Sequence, residues 1–198
     1  MKSKSKVLMA FCCVPFFAAC GGDGDSDLAP PTFTEMDASQ AALEALYDPQ
    51  AARTDVPAVD TATYAGYVGG ALLGDGRDLL GELELTADFQ TTAVTGSADN
   101  LADSNEQAFV GSLGFTGNVV FGGDSATPDS MLGTLDGFLN ADGTTYDTEI
   151  ILDTAEFKGG VGAALPDAIS GLATGDLLDV NAPASGFILF GDFIVEKQ

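Results

Sequence analysis

The sequence predicts an all-β protein: an eight-stranded antiparallel up-and-down barrel, with one short N-terminal helix after a signal peptide and flexible tether. Three observations predict it. From residue 58 onward apolar and polar side chains alternate with a period of two, as in strands with one buried and one wet face. Clusters of turn-forming residues break this region seven times, leaving eight segments. Gly66, Gly81, Gly96, Gly114, Gly137, Gly171 and Gly191 fall inside those segments, where glycine weakens pairing but permits the coiling that a small closed barrel needs.

Residues 1–19 have the form of a lipoprotein signal peptide. Lys2, Lys4 and Lys6 form a positive start, and Val7 to Ala19 is an apolar stretch broken only by Pro15. This is too short for a bilayer span, which takes about 20 apolar residues. Ala18 and Ala19 place small side chains directly before Cys20, which resembles a lipobox and marks Cys20 as the lipidated first residue of the exported chain. An ordinary secretory signal with an incidental cysteine is the alternative. All three cysteines lie at or before position 20, so the exported domain is expected to hold no disulfide although its compartment permits one. Gly21, in place of the aspartate that marks inner-membrane retention in familiar sorting systems, favours the outer membrane.

Residues 20–33 are the lipidated cysteine and a flexible acidic tether. Gly21 to Pro31 combines glycine, aspartate, serine and proline with little to bury, so a solvated spacer is expected. Asp23, Asp25 and Asp27 alternate as in a calcium loop, but the glycine and distal glutamate of an EF-hand are missing at their offsets. Residues 34–57 form a short helix and connector. Met36, Leu43, Leu46 and Tyr47 recur at helical spacing, Thr34 with Asp37 suggests a capping pair, and Pro49 ends the helix.

Residues 58–198 form the barrel domain. The expected strands are 61–73, 79–89, 92–98, 109–121, 132–140, 144–157, 167–177 and 186–197. In the second, Leu83, Leu85, Ala87 and Phe89 share one face while Glu82, Glu84, Thr86 and Asp88 share the other. Asp142-Gly143 is the strongest hairpin signal, since both central positions of a type I′ turn need positive φ. In the last strand Phe187, Leu189, Gly191, Phe193 and Val195 lie on one face. Ile188, Phe190 and Ile194 accompany Asp192 on the other, which suggests a strand covered on both sides.

A small membrane-spanning barrel would need an outward apolar band flanked by aromatic girdles. This chain has no Trp and four Tyr, and its clearest strand pairs an acidic face with a Leu/Phe face. An apolar interior with water outside is therefore expected, and the lipid alone anchors the protein to the membrane.

Composition removes several function classes. The chain has 30 acidic and 7 basic residues, no histidine, and a formal charge of −23. Removing residues 1–19, which contain three lysines and no acid, leaves 30 acids against 4 bases and a charge of −26. Nucleic acid is excluded as a partner because binding it requires Lys and Arg to displace counterions from phosphate. Without histidine there is no Ser-His-Asp triad, no Cys-His pair and no imidazole metal ligand.

Remaining motifs are weak. Gly74-Asp75-Gly76 lacks the third glycine and the following helix of a dinucleotide loop. Gly111-Ser112-Leu113-Gly114 lacks nucleophile-elbow spacing. Among 30 acids some carboxylates will lie at glycosidase separations by chance, but the missing Trp removes the best sugar-stacking platform. Asp99, Asp103 and Glu106, or Asp124 and Asp129, are dense enough in acids for calcium loops, yet none has the fixed alternation of an oxygen cage and solvated turns fit them better. Lys158 stands beside Phe157 and Gly159 as a contact for an acidic ligand or, more commonly, a strand-end lysine that protects a sheet edge. No cofactor, no metal and no enzymatic activity are expected.

Tyr64-Ala65-Gly66, then Leu85-Thr86-Ala87-Asp88-Phe89, and Val94-Thr95-Gly96 after a tight turn, resemble the barrel domain of the transferrin-binding protein B family of surface lipoproteins. The barrel of factor H binding protein is a relative of that family. Phe157-Lys158-Gly159 and Ala164 to Gly171 resemble its Phe-Tyr-Gly-Pro, Ala, Gly-Gly segment in diverged form, with Lys158 for the aromatic and Gly160 for the proline. Phe187 to Lys197 resembles the closing strand, so the likeness covers roughly residues 60 to 198. It implies a lipid-anchored module at the cell surface that captures an iron- or haem-carrying host protein or another ligand; a monomer is expected. A structural or secretion-linked envelope lipoprotein is the alternative, favoured by a filled barrel. A wide apolar mouth would favour a lipocalin-like binder of small molecules.

Overall fold

The computed structural model describes residues 29–198 apart from positions 124, 125, 161 and 163. One helix, α1 (Phe33–Tyr47), precedes nine strands: β1 (Thr61–Leu73), β2 (Arg77–Asp88), β3 (Ala93–Asp103), β4 (Ala108–Phe109), β5 (Leu113–Val120), β6 (Ser130–Ala141), β7 (Thr144–Lys158), β8 (Ala168–Asp179) and β9 (Gly186–Lys197). All pairings are antiparallel. Eight strands follow the order β2-β1-β9-β8-β7-β6-β5-β3, and β3 pairs back onto β2 to close the barrel. The two-residue β4 is an addition on β3.

The interior is one continuous apolar cluster. Tyr64, Phe89, Phe115, Phe157 and Phe193 are the largest of its fully buried side chains, packed among leucines from every long strand. Burying each such side chain contributes roughly 1.5–3 kcal/mol before the entropy of ordering it is subtracted. The alternation expected for β2 is present: Leu83, Leu85, Ala87 and Phe89 are buried, whereas Glu84 is exposed.

Glycine decides two local features. Asp142 (φ 49°) and Gly143 (φ 76°) form the tight connection between β6 and β7, the positive-φ pair that a type I′ hairpin demands. Where β1 crosses β9, a Cβ on Gly191 would lie 2.1 Å from the Gly69 carbonyl oxygen and 2.4 Å from Gly70 Cα. Only side-chain-free residues allow the two backbones this approach.

Several sequence expectations need correction. The third strand continues through Asp103 instead of ending at residue 98, with Asn100 at φ 53° beside a register shift against β2. The expected strand 109–121 is split into β4 and β5 at Gly111, where φ is 148° and a Cβ would meet the Phe138 carbonyl oxygen at 2.3 Å. Helix α1 is capped by Thr32, not Thr34. The Thr32 hydroxyl accepts from the Glu35 N–H, and the Glu35 carboxylate accepts from the Thr32 N–H in a capping box. Met36 and Tyr47 are buried against the barrel, but Leu46 is 56 % exposed, because the stripe that meets the sheet is narrow.

Candidate binding surfaces

Both ends of the barrel are stoppered by the chain itself. At the end where β1 begins, the connector after α1 crosses the opening, anchored by Arg53. Its guanidinium donates to the carbonyls of Ala164 (2.7 Å), Gly162 (3.0 Å) and Asp55 (3.1 Å), and Nε to Asp55 Oδ1 (2.9 Å). Asp129, also buried, accepts from the N–H groups of Val56 (2.9 Å) and Gly122 (2.8 Å). Just inside, Tyr64 donates to the Pro166 carbonyl at 3.2 Å, and burial raises its phenol pKa. At the opposite end Phe109, Tyr146 and Phe187 form a chain of tilted rings, and the Arg77 guanidinium sits 5.5 Å over Phe187.

Arg77 bonds to Asp75 and Asp103, and the Asp75 bond does most to hold its guanidinium pKa above the ordinary value. Asp103 is fully buried: its Oδ1 accepts from the N–H groups of Asn105 (2.8 Å) and Gln107 (3.0 Å). The expected solvated turn is instead a loop folded around a carboxylate.

That loop carries Glu106, which accepts from the Phe33 N–H (2.8 Å), the Thr34 hydroxyl (2.8 Å) and the Thr34 N–H (3.3 Å) at the start of α1. These bonds, led by the Thr34 hydroxyl, lower the Glu106 pKa. Asp99 accepts from Ser97 Oγ at 2.9 Å. Asp99, Asp103 and Glu106, the candidate calcium loop of the sequence, therefore have separate structural tasks. Among the described residues no cluster of three or more metal-ligating side chains has the arrangement to hold an ion. Cys20 and Asp124 lie outside the described residues.

Lys158 guards no sheet edge. It is 6 % exposed, donates to the Gln50 carbonyl (3.1 Å) and Glu156 Oε2 (2.6 Å), and its backbone pairs with Ala52. A closed barrel leaves no edge at β7 to protect, so the ammonium ties the connector to the wall instead.

Helix α1 lies across the outside of the barrel. Met36 packs with Leu80 and Ala102, and Tyr47 with Ala168 and Ile194. Beside it is a concavity of about 250 Å³ whose lining includes Glu44, Asp48, Lys158, Leu172 and Asp192. Gln40 Nε2 donates to both Glu44 (2.8 Å) and Asp192 (2.7 Å). Shielding from solvent raises the pKa of both carboxyls, and repulsion from neighbouring acids adds to it. Tyr47 donates to Glu196 at 3.2 Å; burial first, then the Glu196 charge, pushes the phenol up to about 12. Glu196 is itself raised by burial.

The last strand is not covered on both sides. Ile194 is buried under α1, but Ile188 and Phe190 are each 55 % exposed on the outer face. Comparison of the chain with protein-family models, curated proteins and solved structures finds no match.

Proposed function

We propose that the chain is a non-enzymatic lipoprotein, anchored to the outer membrane through Cys20 and displaying its barrel at the cell surface as a protein-binding module. The apolar side chains exposed on the outer wall, Leu172, Ile188 and Phe190 among them, carry the binding role, and the packed interior with both ends stoppered confines it to the outside of the barrel. An interior filled with Tyr64, Phe89, Phe115 and Phe193 leaves recognition to the outer wall and the loops on a rigid scaffold. Acids on the outer face, such as Glu84, Glu149 and Asp176, are costly in hydrocarbon, which supports attachment by lipid rather than by spanning strands. The likeness to the transferrin-binding protein B barrel supports capture of a host protein. With no histidine in the chain, a haem-carrying protein suits it better than free haem.

Protease treatment of intact cells tests the display: rapid loss of the domain is expected, and survival until lysis refutes it. Mass spectrometry of the exported chain tests the anchor, with acyl chains expected on Cys20 and an unmodified thiol refuting it. The packed interior equally favours a structural or secretion-linked envelope lipoprotein. That reading takes over if deletion weakens the envelope while no host protein is captured.

A further inference from the structure

We propose that the outer wall formed by β1, β9, β8 and β7 docks a basic amphipathic helix of a partner protein, an assignment that rests on the protein-binding reading above. The wall is apolar across four strands. Leu73 pairs with Ile188, and Phe190, two residues along on the same face, pairs with Ala71 and Thr174. Thr174 pairs in turn with Ile151, and Leu172 is its same-face neighbour on β8. Leu73, Ile188, Phe190, Ile151 and Leu172 are 39–55 % exposed, a contiguous patch of the kind that marks an interaction site.

The charged residues paired with these apolar positions are acidic. Asp78 pairs with Ala71, Asp176 with Ile188 and Glu149, and Leu172 sits between Asp192 and Asp153. Each of the four cations of the described residues is already ion-paired: Arg53 with Asp55, Arg77 with Asp75 and Asp103, Lys197 with Asp167, and Lys158, which shares a concavity with Leu172 and Asp192, with Glu156.

This charge pattern selects the occupant. A second copy would set one acidic rim against another, and an anionic lipid surface would be repelled in the same way. A strand cannot add to this wall, because each of its four strands is paired on both sides. A helix fits the surface, as α1 demonstrates beside it: Tyr47 presses onto Ile194 of β9 and Ala168 of β8 and Gln40 donates to Asp192, while Met36 at the other end of α1 packs on Leu80 of β2 and Ala102 of β3. A partner helix with apolar residues at i, i+3, i+4 and i+7 and flanking Lys or Arg would meet Ile188 and Phe190 with its apolar stripe and the rim with its cations.

The test uses the purified full chain and a fluorescent Lys/Leu amphipathic peptide of about four helical turns, followed by anisotropy across a salt series. Saturable binding that weakens with salt is expected. The double variant Ile188→Ser/Phe190→Ser should lose affinity about tenfold or more, whereas Val120→Ser, an exposed apolar position on β5, should change it less than twofold. Because the substituted side chains face solvent, all variants should melt at the parent temperature. Equal affinity in all variants would mean undirected charge attraction and would overturn the assignment. So would absence of binding, equal binding of a Glu/Leu peptide, or preferential sedimentation with anionic vesicles. Peptide binding judges this wall alone, while protease treatment of cells judges surface display, so the two readings fail separately.

Discussion

Replacing Asp103 by Ala and by Asn separates the geometry of this carboxylate from its charge. The side chain is 0 % exposed; Oδ1 accepts two backbone N–H bonds and Oδ2 meets Arg77, whose side chain is 22 % exposed. Asp103→Ala removes two bonds to a charged acceptor, about 1.5 kcal/mol each. It also removes an ion pair that contributes about 1 kcal/mol with one partner partly in water. The expected loss is about 4 kcal/mol, on the order of 10 °C in Tm for a chain of this size. Asp103→Asn can keep an acceptor toward both N–H groups and loses mainly the ion pair, so it should cost about 1–2 kcal/mol.

Urea unfolding with a constant m value measures both, and calorimetry checks the Tm. Because the same loop carries Glu106 to the start of α1, the Ala variant should also speed hydrogen exchange at the first turn of α1. Equal destabilisation by Asn and Ala, or an Ala cost below about 1 kcal/mol, would refute the view that Asp103 organises the loop through its two N–H bonds.

Three further outcomes are expected. In Gly133→Ala the new Cβ would sit 2.2 Å from Phe115 Cζ and 2.6 Å from the Thr116 carbonyl oxygen. An overpacking cost of about 1–3 kcal/mol should appear in chemical denaturation, and an unchanged midpoint would show that the ring moves aside freely. Arg53→Lys keeps the charge but not the planar fork that reaches Ala164, Gly162 and Asp55 together. It should cost about 2–4 kcal/mol and expose the connector to proteolysis, so resistance equal to the parent would count against its role as the end plug. The docking of α1 should pass through a maximum with pH. Glu44, Asp192 and Glu196 have folded pKa values above their ordinary 4.5, 3.8 and 4.5, so they bind protons more readily in the docked state, and docking strengthens as pH falls from neutral through those raised values. Glu35 and Glu106 are lowered below 4.5, so their stabilisation is lost on further acidification. Hydrogen exchange of α1, corrected for intrinsic rates, should show greatest protection near the ordinary carboxyl value of about 4.5, where the raised groups have gained and the lowered groups have not yet lost, and a steady decline from neutral pH downward would refute the assignment.

The barrel was legible because its signals are local. Leu83 to Phe89 alternates whether or not its neighbours are known, and Asp142-Gly143 can adopt the backbone of its turn without reference to the rest of the chain. The same locality explains the errors. The Asn105 and Gln107 N–H groups are close to Asp103 in the chain, but nothing there shows that Arg77, 26 residues away, will meet it and that it will be buried, so it reads as one more solvated acid. Lys158 looked like an edge lysine until closure removed the edge. The two apolar faces of the strand Phe187 to Val195 are visible in the sequence, but of the outward apolar side chains α1 covers Ile194 and leaves Ile188 and Phe190 in solvent. That double pattern was the one sequence signal for the outer wall, and a cover was expected where there is open surface.

By itself the amino-acid order determined the strand faces, the principal turns, the presence of the helix and the acidic balance, because these follow from side-chain period and backbone preference within a few residues. Tertiary structure alone decided which carboxylates are buried as loop organisers, which cations plug the barrel and which apolar side chains stay outside. Each of those outcomes depends on atoms brought together from distant parts of the chain, and contact at that range is settled only when β3 closes on β2 and α1 comes to rest across the wall.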